Sequence, residues 1–324
     1  MAKIVSFTIR EFFSSFWNIF LVMFLITSII FIIVISNMTA SVQITFLELG
    51  SLYLLTLPQI LFISLSISFF LGAVSAYSQL SESQELIALL SAGVSPLGIL
   101  KGVGLIGVAI TIANLLFLFL SIPYAKNRFD NLKEIKKEEA KFNLQSKRIS
   151  QQLGKWSLFL ERKENDNFQG IYLYNRQSNQ FVIGEEGRMI SKGGYIRFFL
   201  NRGELYKMDK NFTLSFKEMV INHKIPQTSI SIFDFKKYLD QNRNFFATYL
   251  PLALLPLALL LFIPAISFYH PRLHQNRHPL LEAIGLLVIY LLIAQQNKNL
   301  YIGLTIPLIF WVISIFTFRK RVYL

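Results

Sequence analysis

Few residues in this chain are placed to do chemistry. The most informative run is Ser78-Gln-Leu-Ser-Glu82-Ser-Gln-Glu85-Leu-Ile-Ala-Leu-Leu-Ser-Ala-Gly93-Val-Ser95-Pro96. Ser81 or Ser83 is expected to N-cap a helix, with Glu82 and Glu85 in its first turn, where the helix dipole favours carboxylates. Leu86, Leu89 and Leu90 fall at helical spacing on one face. Gly93 stands where a glycine stop is expected, and Pro96 follows. The pattern predicts an amphipathic helix of about two to three turns, over residues 81–93, at a membrane surface. Two readings are open for it: an ordinary connection, or a coupling helix seated in a groove of a cytoplasmic ATPase with Glu85 paired to a basic residue there.

Other chemistry is thin. No G-x-x-x-x-G-K-[ST], H-E-x-x-H or G-x-S-x-G motif occurs. His270, His274 and His278 have i, i+4, i+8 spacing, but Pro271 and Pro279 interrupt any regular helix there, so a solvated basic loop is a better reading than a metal site. With 0 cysteines there is no disulfide, thiolate ligand or cysteine nucleophile. An enzyme reading lacks nucleophile, base and metal. Few ionisable groups lie in the apolar runs, which disfavours an ion-coupled carrier.

The elements that would hold this loop are membrane spans. The chain has 324 residues, 53% of them hydrophobic, and a mean hydropathy of +0.47. The apolar residues fall in blocks of about 20, the length that crosses a bilayer. They predict spans at about 17–36, 52–76, 99–123, 245–269, 280–295 and 300–318. Lys3 and Arg10 precede the first, whose length and lack of a clear cleavage site read as an uncleaved span rather than a signal peptide. Pro251, Pro256 and Pro264 predict a kink in the fourth. The net charge of +13 first suggests nucleic acid or anionic lipid; beside these spans, lipid is the partner and nucleic acid is not. Short loops carrying Lys3, Arg10, Lys101, Arg272, Arg277, Arg319, Lys320 and Arg321 share one side, against Lys298 alone on the other. The positive-inside rule therefore places both termini in the cytoplasm and residues 124–244 outside.

That central segment opens with a polar helical stretch, 127–146. Short runs rich in β-branched and aromatic residues follow, at 156–161, 170–174, 180–183, 195–200, 203–206 and 212–216. Turn residues separate them at 165–167, 177–179, 193–194, 201–203 and 209–211. This spacing predicts an antiparallel sandwich, roll or open barrel. The fold class is an α-helical polytopic membrane protein of six spans, three and three, with an inserted all-β jellyroll-like domain. Its domains are 1–123, 124–244 and 245–324.

In layout and motifs the chain resembles the lipopolysaccharide-export permeases of the LptF/LptG type. Glu85 through Gly93-Val-Ser95 is similar to the family's E-(x)7-G-[LV]-S coupling helix, and Ile263-Pro264-Ala-Ile-Ser-Phe-Tyr-His270-Pro271-Arg272 to the V-P-L-S-x-x-x-P-R pattern of its LptF branch, which is favoured here. Arg197 to Tyr206, then Phe212 to Phe216, resembles a strand-turn-strand run of the family's jellyroll.

The resemblance implies an ABC-exporter permease subunit in the inner membrane, itself non-catalytic and without cofactor. ATP and Mg would be bound by an LptB-like ATPase dimer. Further partners would be the paralogous permease, a single-span LptC-like protein, an LptA-like periplasmic bridge, and lipopolysaccharide or lipooligosaccharide as cargo. Glu85 would contact the ATPase, with Glu82, Leu86, Leu89 and Gly93 around it. Lys126, Arg128, Arg243 and Lys298 are candidate headgroup cations. Ile171, Leu173, Phe198 and Leu200 are candidates for an acyl-chain path, with core packing as the competing role. Ser36-Asn37-Met38-Thr39 carries no Lys or Arg where family members often have basic residues. The rival readings are another envelope ABC permease and a non-transporting membrane scaffold.

Overall fold

A computed structural model describes residues 2–39, 45–141, 151–153, 156–164, 167–192, 195–210, 212–224, 243–270, 278–297 and 299–322. The chain divides into a helical unit of residues 1–37, 46–127 and 230–324 and a second unit centred on Arg128–Ser229.

The helical unit begins with α1 (Ala2–Thr39) and α2 (Phe46–Glu82). At 1.5 Å per residue each outruns a hydrocarbon core of about 30 Å. Next come α3 (Glu85–Ser91) and α4 (Pro96–Leu116). A π-helical turn, Phe117–Ser121, then leads into α5 (Ile122–Lys141). Pro123 has no N–H to give the carbonyl four residues back, and widening the preceding turn accommodates that loss. Among the described residues four helical stretches are long and apolar enough to cross a membrane: Lys3–Asn37, Phe46–Glu82, Pro96–Lys136 and Leu300–Val322.

The fourth expected span is broken rather than kinked. It forms α6 (Arg243–Ala258) and α7 (Phe262–Ser267), parted by a turn at residues 259–261. The prolines are the cause. Pro264 cannot donate to the Leu260 carbonyl, which instead accepts from Ile263 at 3.3 Å in a tighter turn. The fifth expected span corresponds to α8 (Pro279–Gln295), a shorter apolar helix of 17 residues, and the sixth to α9 (Leu300–Val322).

These helices share a core in which Phe69, Phe70, Val103, Phe246, Ile263 and Tyr290 are fully or almost fully buried. Lipid is as apolar as these side chains, so packing and polar bonds between helices hold the bundle. The Asn114 amide donates to Ser66 Oγ at 2.9 Å between α4 and α2, and the Tyr290 hydroxyl to the Pro251 carbonyl at 2.6 Å between α8 and α6.

The second unit is a six-stranded antiparallel sheet: β1 (Gln151–Leu153), β2 (Trp156–Glu164), β3 (Asn167–Asn175), β4 (Gln180–Lys192), β5 (Tyr195–Lys207) and β6 (Phe212–Lys224). Among the described strands the jellyroll-like domain takes the form of a meander, each strand paired to its sequence neighbour.

The strands are longer than the apolar runs suggested. The turn expected at 201–203 is instead the interior of β5. There the ladder skips one level across the sheet, at Glu161 opposite Gly170, Gly170 opposite Glu185, Glu185 opposite Arg202, and Arg202 opposite Lys217. Gly170 and Arg202 have positive φ at that level, and the buried alternation slips by one, from Phe168 to Ile171 in β3. The row is a crease that bends the sheet without reversing the chain. Gly203 beside it lies so close to β4 that an added Cβ would stand 2.0 Å from the Ile183 carbonyl. The Arg202 guanidinium meets Glu185 at 3.2 Å on the crease. The expected turns at 165–166 and 193–194 lie outside the described residues, as does 142–146 of the polar helical stretch.

Candidate functional site

One end of the helical unit carries α3. Its expected N-cap is corrected by the structure. Ser81 and Glu82 are the last residues of α2, and the position before α3 is Gln84, whose φ of 62° turns the chain without a side-chain cap. The Ser81 hydroxyl is committed elsewhere: it donates to the Ser267 carbonyl at 2.5 Å, with both residues fully buried. Glu82 is likewise not in the first turn of α3; its carboxylate accepts from the Tyr269 hydroxyl at 3.0 Å.

Glu85 does begin α3, exposed, with no hydrogen bond or ion pair among the described residues. Leu86 is buried, and Leu89 and Leu90 pack half-buried on the core, so the leucine face turns inward as the spacing predicts. At the far end Gly93 has φ 82°. Its N–H bonds to the Leu90 carbonyl at 3.0 Å and that of Val94 to Leu89 at 3.2 Å. This paired closure needs the left-handed residue that glycine supplies without strain. Ser95 then caps α4, accepting from the Gly98 N–H at 3.1 Å, with Pro96 in the first helical turn.

The elements around α3 are bonded to one another. Ser267 Oγ donates to the Val74 carbonyl at 3.1 Å, and the Tyr77 hydroxyl to the Ile99 carbonyl at 3.0 Å. Arg321 reaches Glu282 at 3.2 Å and the Ala265 carbonyl at 3.4 Å. Thus α2, α4, α7, α8 and α9 are tied beside α3. Nothing in the run around α3 pointed to Ser267, Tyr269 or Arg321. The signal was the second similarity motif, which contains Ser267 and Tyr269 in a stretch read for its likeness to the LptF branch and not for contacts to α2.

The opposite end gathers two of the candidate cations. Lys126 lies over the Phe245 ring at 5.3 Å. Arg243 and Asn244 line a cavity of about 630 Å³ with Gln296, Asn297 and Asn299, walled by Ile293, Ile302 and Ile306. The amides were missed in the sequence, although the run Gln295-Gln-Asn-Lys-Asn299 between two apolar spans marks them. Asn297 is structural as well. Pro251 leaves the Ala247 carbonyl without its helical donor, and the Asn297 amide supplies one at 3.4 Å. Arg128 falls in the second unit, exposed on α5, and Lys298 lies outside the described residues.

Ile171, Leu173, Phe198 and Leu200 are brought together as the centre of the β unit's core, each at most 1% exposed. They meet Leu158, Leu160, Phe168 and Val182, with Ile135 of α5 packed against them. Among the described residues no group of His, Asp or Glu is arranged to hold a metal; His274 lies outside them.

Membrane-length apolar helices and an inserted antiparallel β unit define a polytopic helical membrane protein. Residues 7–320 match the family described as lipopolysaccharide export system permease LptF/LptG. The match spans nearly the whole chain, and the chain belongs to that family. No curated protein matches it.

Proposed function

We propose that this chain is the transmembrane subunit of an ABC exporter that extracts lipopolysaccharide or lipooligosaccharide from the inner membrane and passes it to a periplasmic bridge. The observation that carries the coupling is α3: its leucines anchor it in the bundle, while Glu85 stands exposed at its start, unpaired among the described residues. A carboxylate so placed is free to pair with a basic residue in the groove of a cytoplasmic, LptB-like ATPase dimer, which binds ATP and Mg. Force delivered there passes into α2, α7 and α9 through the Ser81, Ser267, Tyr269 and Arg321 bonds. Glu82, engaged with Tyr269, belongs to this linkage more than to the ATPase contact.

The charge bias of the short loops puts the α3 end and both termini in the cytoplasm and the β unit in the periplasm. The layout of six spans, three and three, follows if α6 with α7 and α8 cross the bilayer together with the four longer helices. The cavity at Arg243 then opens near the outer leaflet. It offers a guanidinium for phosphate, amides for sugar hydroxyls and isoleucines for acyl chains; Lys126, Arg128 and Lys298 are kept as candidate headgroup cations by their sequence positions alone. Long apolar faces on α1 and α8, including Leu21, Leu25, Ile29, Val288 and Leu292, suit a paralogous permease and lateral lipid entry. Acyl chains would reach Ile171, Leu173, Phe198 and Leu200 by displacing their mutual packing, on the way to LptC-like and LptA-like partners. The Ile263 to Arg272 run favours the LptF role.

Affinity purification of the tagged chain in mild detergent, with mass spectrometry of proteins and lipids, tests this reading. It predicts a homologous permease, a P-loop ATPase and bound lipid A. Recovery of the chain alone, or with an unrelated ATPase and no glycolipid, overturns it.

A further inference from the structure

A second cavity lies at the α3 end of the helical unit, away from Arg243. The α9 helix packs on α6 and α7, and α4 packs on α6, but α4 and α9 do not pack along one another. Between the start of α4 and the end of α9 this leaves a cavity of about 980 Å³. Its walls are Leu97, Leu261, Ile315, Phe316 and Phe318, and Arg319 and Lys320 stand at its edge. The volume is at the upper end for a small-molecule site, so the space suits more than a headgroup.

Arg321, next in sequence, is neutralised by Glu282. Arg319 and Lys320 are exposed and have no carboxylate partner among the described residues. A guanidinium pairs with phosphate in bidentate fashion and an ammonium adds a point charge. An apolar cleft with two exposed cations at its mouth, neither paired to a carboxylate among the described residues, complements an amphiphile with an acyl tail and a net negative phosphate head. Basic pockets between membrane helices hold anionic phospholipids in this way.

We propose that this cleft is a binding site for an anionic phospholipid, with an acyl chain against Leu97, Leu261 and Phe316 and the phosphodiester on Arg319 and Lys320. The site stands on its own geometry and does not depend on the transport reading. A zwitterionic lipid brings its own ammonium to the same cations and is bound less well.

The test uses the full chain, purified in mild detergent with its accompanying subunits and titrated with phosphatidylglycerol, the bound lipid being counted by native mass spectrometry. Replacing both cations (R319Q with K320Q) is expected to weaken binding about 30-fold, from the contribution of two cations near a phosphate. L97W, which fills the cleft, lowers lipid retention with both cations intact, and R10Q on α1, which does not line the cleft, leaves retention unchanged. Phosphatidylcholine binds wild type and the double variant alike, and millimolar inorganic phosphate displaces no phosphatidylglycerol. Equal phosphatidylglycerol retention by wild type and the double variant overturns the proposal. So does displacement by inorganic phosphate, which would mark a surface anion site without a lipid cleft.

Discussion

Replacing Ser81 with alanine removes one methylene-linked hydroxyl, yet the structure predicts a large effect. Its Oγ donates at 2.5 Å to the Ser267 carbonyl, and both residues are fully buried. Ser267 ends α7, so its carbonyl has no donor within that helix. S81A therefore leaves a buried acceptor unsatisfied, at a cost of about 1–3 kcal/mol. The partner change is milder. S267A removes a donor to the Val74 carbonyl, which stays within the α2 ladder, and costs no more than about 1 kcal/mol. For a unit of this size each kcal/mol lowers an unfolding midpoint by about 2–4 °C. S81A is thus expected to melt about 2–12 °C below wild type, and S267A closer to it. Tryptophan fluorescence in detergent at one fixed scan rate reads this, the rate being held because such unfolding is often irreversible. An unchanged midpoint for S81A, or a larger loss for S267A, would refute the capping role.

Asn297→Ala should cost about 1–3 kcal/mol by exposing the Ala247 carbonyl that Pro251 leaves bare, read by the same melting assay; restoring a helical donor by Pro251→Ala in that background should recover part of the loss. Gly93→Ala forces a Cβ into a left-handed position and costs about 1–2 kcal/mol, and faster hydrogen exchange confined to α3 and the start of α4 would show it. Gly203→Ala places a Cβ 2.0 Å from the Ile183 carbonyl, so β4 and β5 must part. Exchange protection should fall in the β unit and not in the helical unit.

The parts of this fold governed by local rules were readable in advance. Apolar blocks marked the spans because a bilayer selects length and hydropathy alone. Gly93 marked the end of α3 because its constraint belongs to the backbone, whereas Pro96, read only as following that stop, proves to open α4. What failed was whatever needed a distant partner. A serine before an acidic turn looks like a cap, but Ser81 has its acceptor 186 residues away. Asn201-Arg-Gly203 has turn chemistry, and the positive φ of Arg202 is real; the pairing of both flanks to β4 and β6 makes it a crease instead. The prolines of the fourth span announced distortion, but the distinction between kink and break depended on which carbonyls found new donors. The amides of Gln296, Asn297 and Asn299 acquired meaning only once Arg243 was placed beside them.

The most direct test of the account is charge reversal at Glu85 in the purified transporter. Because Glu85 is exposed and unpaired among the described residues, E85K should change the stability of the chain by no more than about 0.5 kcal/mol. It should nonetheless abolish co-purification of the ATPase and the permease-dependent part of ATP hydrolysis, while Glu82→Gln retains both. A variant E85K that keeps the ATPase bound and hydrolysis coupled would contradict the claim that α3 is where this permease is driven.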